Sequence, residues 1–316
     1  MAEGINLGHR SVAGDSVCPR QRVRRFSAAF FLIALLLATV SCRKTQSAAA
    51  DGGAQPSVLS VVASIRPYAL LAREIGGEKI SVDLLMKGGA SPHLYAPKMS
   101  DLLFLEKADV FILNGAGLEG TLETILPSLK NTLTVADLVQ TKKAAETAAF
   151  NPHFWFSVPA MKAVALSLAE TLALLDSDSA DFYRANAAAF AARLDSTASA
   201  LCEQRRAFPE NFVYLTMHDS YAYLNQLLEI EALPVEASPG RELSAKAAAD
   251  LISAIEEKGA RFLTIDPQTE GRSAKRIADV CDLETVIIDP LGSDYRNFSD
   301  YYTVTWEKLS EAYDSN

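Results

Sequence analysis

Histidine is scarce in this chain: 316 residues hold four, together with four cysteines and two tryptophans. Positive charge is also short, because 30 Lys and Arg face 39 Asp and Glu for a net charge of −9. Residues 1–42 contain five arginines and only Glu3 and Asp15 as acids, so the remainder carries 25 basic and 37 acidic residues. A nucleic-acid binder needs a basic footprint to neutralise phosphates, and this chain has none. An acidic body can favour cations, or it can serve solubility alone. No HExxH pair occurs, so the helical zinc-protease signature is absent. The longest uncharged apolar run, Phe26–Cys42, has 17 residues, short of the ~20 that a spanning helix needs. No later run of that kind follows, and the body is expected to be soluble. With 49% hydrophobic and 22% charged residues, the composition is globular, which excludes disordered and collagen-like classes.

What is present at the N-terminus has the form of an export signal. Arg20, Arg22, Arg24 and Arg25 flank a short apolar core that ends at Thr39-Val40-Ser41-Cys42. Residues 1–42 are expected to be a lipoprotein-type signal peptide, with cleavage before Cys42 and a lipid on its thiol. Ordinary cleavage and an uncleaved anchor are the alternatives. The small, polar residues 43–56 read as a flexible tether. The chain is thus expected in the periplasm or on the outer face of the cell envelope, held to the membrane through Cys42. Of the cysteines after Cys42, only Cys202 and Cys281 remain. They read as two small buried hydrophobes, although export would permit them to pair.

The body alternates strand and helix patterns. Strands are expected at Val58–Ile65, Ile80–Met86, Val110–Leu113 and Leu133–Leu138, and again at Val213–Met217, Pro234–Ala237, Phe262–Ile265 and Thr285–Ile288. Helical patterns separate them, which implies parallel βα units. Between the two sets, Tyr183, Ala187, Phe190, Leu194, Ala198 and Leu201 keep one face apolar over about five turns. With no Gly or Pro from Ser179 to Phe208, this stretch is read as one helix of ~30 residues, or ~45 Å. It could join two lobes as a rigid strut or simply pack inside one domain. The expected architecture is α/β: an N-terminal lobe at 57–178, a linking helix at 179–207 and a C-terminal lobe at 208–316, each lobe holding a mostly parallel four-stranded sheet.

The three histidines of the body, His93, His153 and His218, each follow an expected strand or its loop. Asp266 and Asp289 end the last two strands in the same way. In open α/β sheets, ligands bind outside the carboxyl ends of the strands. Three imidazoles and one carboxylate suit a closed tetrahedral metal site, and the separations of 60, 65 and 71 residues exclude a local zinc finger. Imidazolium must give up its proton to bind metal, so binding should weaken in acid.

Several motifs, in order, carry a resemblance: GGASPHLY (88–95), NGAGLE (114–119), NPHFWFSV (151–158), HDSYAYL (218–224), DPQ (266–268) and IIDPLG (287–292). Over roughly residues 57–316 the chain resembles the solute-binding lipoproteins of bacterial zinc and manganese ABC importers. The resemblance implies a monomeric extracytoplasmic receptor that captures Zn²⁺, or Mn²⁺, in an interlobe cleft and passes it to a permease with its ATPase. It maps the metal ligands to His93, His153, His218 and Asp289. Family members that carry manganese typically have Glu where this chain has His218, which favours zinc here. Residues 139–152 contain no histidine, so no auxiliary metal-collecting loop is expected. Asp266 is expected near the site without being a ligand, and Glu119 is read as an acid at a helix N-terminus. Trp155, Tyr95 and Tyr221 are expected to pack the ligand loops and exclude water. Asp219 could accept a ligand histidine's second N–H or cap the helix that follows. Readings from other classes are a zinc metalloenzyme and an adhesin lipoprotein.

Overall fold

The computed structural model describes residues 58–87, 91–120, 122, 131–140, 151–236, 243–268 and 272–315. The signal segment with Cys42, the tether, and most of a helix expected at 118–126 lie outside these residues. Two four-stranded sheets form, both entirely parallel. The first has β1 (Leu59–Ala63), β2 (Ile80–Leu84), β3 (Val110–Leu113) and β4 (Thr132–Thr134) in the order β2-β1-β3-β4. The second repeats that plan with β5 (Val213–Thr216), β6 (Glu231–Pro234), β7 (Phe262–Ile265) and β8 (Glu284–Ile287) in the order β6-β5-β7-β8. The helices are α1 (Arg66–Gly76), α2 (Met99–Leu105), α3 (Val135–Gln140), α4 (Val158–Leu175), α5 (Ala180–Arg205), α6 (Ala222–Leu228), α7 (Ala245–Lys258), α8 (Arg272–Val280) and α9 (Asp300–Ser315).

Two expected strands differ. The run Leu133–Leu138 is strand only through Thr134; α3 then begins, and the Ala136 N–H bonds the Asn114 carbonyl. An apolar run of this length does not distinguish strand from helix, and Asp137 in the first turn suits a helix N-terminus. The strand expected at Pro234–Ala237 lies earlier, at Glu231–Pro234. It is an edge strand, where a proline without an N–H is tolerated at the end. Elsewhere local signals suffice. Ser244 Oγ accepts from Ala247 N at the start of α7, and Gly259 closes that helix with φ +67°.

Side chains alternate across each strand and so build two kinds of core. Val61, Ala63, Val110 and Ile112 of the first sheet share one large cluster with Tyr214 and Phe262 of the second. Val62, Phe111 and Leu113 face a small outer core, and Val213, Leu215, Leu263 and Ile265 face another. Helices α4, α5 and α9 fill the shared cluster. α4 is apolar and long enough to span a bilayer, yet Met161, Val164, Leu168 and Leu172 are buried against its neighbours. α5 has 26 residues, roughly 39 Å of helix, and buries all six residues of the expected apolar face. It is both strut and packed helix. Asn186 donates to Ile75 of α1 (2.9 Å) and Arg193 pairs with Glu74, while Phe190 meets Phe298 edge-on at 5.2 Å. Cys202 is buried on α5 and Cys281 is a free thiol, so the two are not bridged to each other.

Phe190→Ala should open a cavity in the shared core and cost about 3–5 kcal/mol, read as a lowered urea midpoint. Leu174→Ala, at a position 87% exposed, should stay within about 0.5 kcal/mol of the parent.

Candidate metal site

The strands of each sheet end on one side, and the three histidines sit there. His93 lies on a single 3₁₀ turn, Pro92–Leu94, after β2. His153 precedes a second such turn, Phe154–Phe156, whose three aromatic side chains are fully buried and fix the segment against the shared core. Ser157 then caps α4 through its Oγ. His218 follows β5 by two residues, and its carbonyl accepts from Thr216 Oγ1 (3.1 Å), which in turn accepts from Thr264 Oγ1 (2.9 Å) on β7.

The three rings converge. His153 Nε2 lies 3.3 Å from His93 Nε2 and 3.2 Å from His218 Nε2, and the ligating atoms of the three all lie within 4.8 Å of one another. His153 and His218 are 4% and 8% exposed, and His93 is partly buried. The far nitrogens have acceptors. His153 Nδ1 donates to Asn151 Oδ1 (2.7 Å), and His218 Nδ1 faces Asp266 Oδ2 at 2.9 Å. With the proton on Nδ1 in both rings, both Nε2 atoms present lone pairs to the centre. Ser220 Oγ, fully buried, reaches His218 Nε2 at 2.8 Å and donates to that lone pair.

Burial disfavours imidazolium. It lowers His93 to about 4, helped by the neighbouring charge of His218. It lowers His153 well below the usual value, helped by His218 and His93. These rings therefore reach neutral pH already deprotonated, as metal ligands must be, and proton competition at them starts at lower pH than for free imidazole.

Asp289 follows β8 by two residues and is not among the converging atoms. Its Oδ1 accepts from Gln268 Nε2 (2.6 Å) and Leu291 N (2.9 Å), and its Oδ2 accepts from Ser293 N (2.7 Å). Burial raises its pKa, but the bonds from Ser293, Gln268 and Leu291 outweigh this and hold the carboxyl below its ordinary range. The next residues, Pro290 and Leu291, line the histidine cavity with Trp155 and Asp266. Gly292 turns this loop at φ +61°, where a Cβ would strike Tyr295 and Tyr301. Arg66, the first residue of α1, donates to the Gly292 and Tyr295 carbonyls (2.8 and 2.7 Å).

The cavity measures about 20 Å³, room for one water-sized body. The donor set fits a cation: the ligating nitrogens of three histidines lie within 4.8 Å of one another beside this space.

Other expected residues fall as follows. Trp155 lines the cavity and donates to Pro290 O (2.8 Å). Tyr221 is fully buried against Phe156 (ring centroids 5.1 Å) and donates to Ile288 O (3.1 Å). Tyr95 turns instead to Asp101 (2.6 Å). Glu119 is buried and accepts from the Asn114 and Gly115 N–H groups, and the helix whose N-terminus it was expected to mark lies largely outside the described residues. Asp266 occupies the place beside His218 that Asp219 was considered for. Asn151 and Ser220 were missed. Asn151 stands two residues before His153, and that spacing was the available signal.

The family model for zinc-uptake complex component A, periplasmic (ZnuA), matches residues 61–312. The manganese-binding lipoprotein MntA of Bacillus subtilis is 26% identical over 229 residues, 70% of this chain and 75% of that protein. The zinc-binding protein AdcA of Streptococcus pyogenes serotype M6 is 21% identical over 291 residues, 79% of this chain and 55% of AdcA. A crystal structure of ZnuA superposes with a TM-score of 0.71 at 28% identity, covering 81% of this chain and 99% of that one. A match running from β1 into α9, with the same fold behind it, places this chain in the ZnuA family of periplasmic zinc-uptake components.

Proposed function

We propose that this protein is the extracytoplasmic receptor of a metal ABC importer, with Zn²⁺ as its cargo. The observation that carries this reading is the convergence of three imidazoles, two of them buried and one partly so, on a cavity of about 20 Å³. His93, His153 and His218 supply the nitrogens and Asp289 supplies the carboxylate, completing four ligands for a tetrahedral ion. Filling all four positions would leave none for a catalytic water, which favours a carrier over a metalloenzyme. Export through residues 1–42 and a lipid on Cys42 would keep the receptor beside its permease and ATPase.

Mn²⁺ is the second reading, favoured by the likeness to the manganese-binding lipoprotein. Manganese prefers oxygen-rich shells and stands below zinc in the Irving–Williams order at imidazole sites. Zn²⁺ should therefore outcompete equimolar Mn²⁺ in a chelator-competition titration. Each of His93→Ala, His153→Ala and His218→Ala should weaken zinc binding by about 10-fold or more. Displacement of zinc by equimolar manganese would reassign the cargo, and unchanged affinity in all three variants would refute the site.

The metal-free protein should lose stability in acid. The unfolded chain takes up protons below about pH 6.5, whereas folded His93 refuses them until about 4. The unfolded state binds more protons in that window, so stability falls as pH drops through it. Melting curves from pH 7 to 4.5 should show a smaller fall for His93→Gln than for the parent, and identical slopes would remove His93 as a cause. Finally, Cys42→Ser should move the protein from the membrane pellet to the soluble extracytoplasmic fraction, and retention in the pellet would refute the lipid anchor.

A further inference from the structure

We infer that Asn151 is a positioning residue that clasps the segments of two metal ligands together, and that only an amide can do this. The inference rests on the metal-site reading above.

Asn151 uses both ends of its side chain. Its Oδ1 accepts from the His153 ring at Nδ1 (2.7 Å) and from His153 N (3.0 Å). Its Nδ2 donates to the Asp219 carbonyl (2.6 Å) and lies 3.3 Å from Asp219 Oδ2. Asp219 directly follows His218 on the loop after β5. One side chain thus touches the ring of one ligand and the backbone next to the other, although the two histidines are 65 positions apart. Tyr223 of α6 holds Asn151 from behind, donating to its carbonyl (2.9 Å).

The chemistry requires acceptor and donor in a single group. An aspartate at this position would keep the turn to His153 N and would still accept from the ring. It could not donate to Asp219, and it would set carboxylate oxygen against carbonyl and carboxylate oxygens there. Alanine would lose both functions. Separating the clasp from a mere turn is therefore possible: Asn151→Asp removes the donor and leaves the turn. Adding Asp219→Asn would relieve the carboxylate pair at the same total charge, but the Asp219 carbonyl would still face a carboxylate oxygen, so the bond to the backbone stays lost.

The clasp acts on the spacing between His153 and His218, so it should govern how long the ion is held. Zinc affinity and zinc release to a chelator would be measured for the parent, Asn151→Ala, Asn151→Asp, Asp219→Asn, the Asn151→Asp/Asp219→Asn double variant and His153→Ala, with urea midpoints of the metal-free forms. Asn151→Ala should weaken zinc binding and speed release by about 10-fold or more, the size of other outer-shell losses. Asn151→Asp should release zinc about 10-fold faster with a near-parental metal-free midpoint, and the double variant should stay faster than the parent, because the Asp219 carbonyl still has no donor. Parental release from Asn151→Asp, or a double variant restored fully to parental release, overturns the clasp. If His153→Ala also binds zinc normally, the site reading itself has failed; if only that variant loses zinc, the clasp alone is wrong.

Discussion

The rest of the molecule answers to one constraint: three imidazoles must share one small space, with His153 Nε2 held 3.3 and 3.2 Å from the Nε2 atoms of His93 and His218. A proton on two of these nitrogens would set like charges against each other in a poorly solvated space, and burial already opposes the first. Without a proton, lone pairs face lone pairs and nothing satisfies all of them until a cation arrives. Ser220 answers one, and His93 and His218 crowd the same nitrogen of His153. Such an arrangement does not hold itself together. It must be imposed by surrounding structure that gains more from packing than the site loses.

That structure is the shared core. Phe154, Trp155 and Phe156 next to His153, Tyr221 next to His218, and Tyr301 and Tyr302 on α9 belong to the same cluster as the inner faces of both sheets. Trp155 reaches the Pro290 carbonyl, and Tyr302 reaches the Trp155 carbonyl. Opening the two sheets like a hinge would split this cluster along with the bonds of Arg66 to the Gly292 loop. α5 bridges both sides and resists the same motion. The cheaper motion lies with His93, which sits on a 3₁₀ turn at the rim and is the least buried of the three rings. Under the proposed reading, ion entry and release would be a matter of the His93 turn moving against the more deeply buried pair, His153 and His218.

The fold was legible because it uses local signals. Period-two apolar strands, the Ser244 cap and Gly259 stop of α7, and the apolar stripe of α5 all act within a few residues. The failures came where one signal served two structures: Leu133–Leu138 is apolar enough for strand or helix, and tertiary pairing with β3 lasts only to Thr134. In the site, the histidines stood out because they were few and ended strands. Their orienters did not. Whether Asp219 or Asp266 meets the His218 ring depends on how β7 lies beside β5, a pairing that joins residues 48 positions apart. Asn151 could be placed by its nearness to His153, but its second bond to Asp219 exists only once the two segments meet. Neither periodicity nor composition records such contacts.

Metal choice follows from which donors are already engaged. The oxygens beside the cavity are not spare. Asp266 faces His218 Nδ1, and Asp289 accepts three hydrogen bonds. An octahedral ion that wants mostly oxygen would have to break these bonds and would find little room for water in about 20 Å³. A tetrahedral ion needs only the three nitrogens already aimed inward and one lone pair of a carboxylate that is already ionised. Ion size does little of the sorting, since zinc and manganese are both far smaller than the rings around them. Under the proposed reading the discrimination lies in the hydrogen bonds around the ligands, which commit both carboxylates elsewhere and hold the nitrogen of His218 only through the Ser220 hydroxyl.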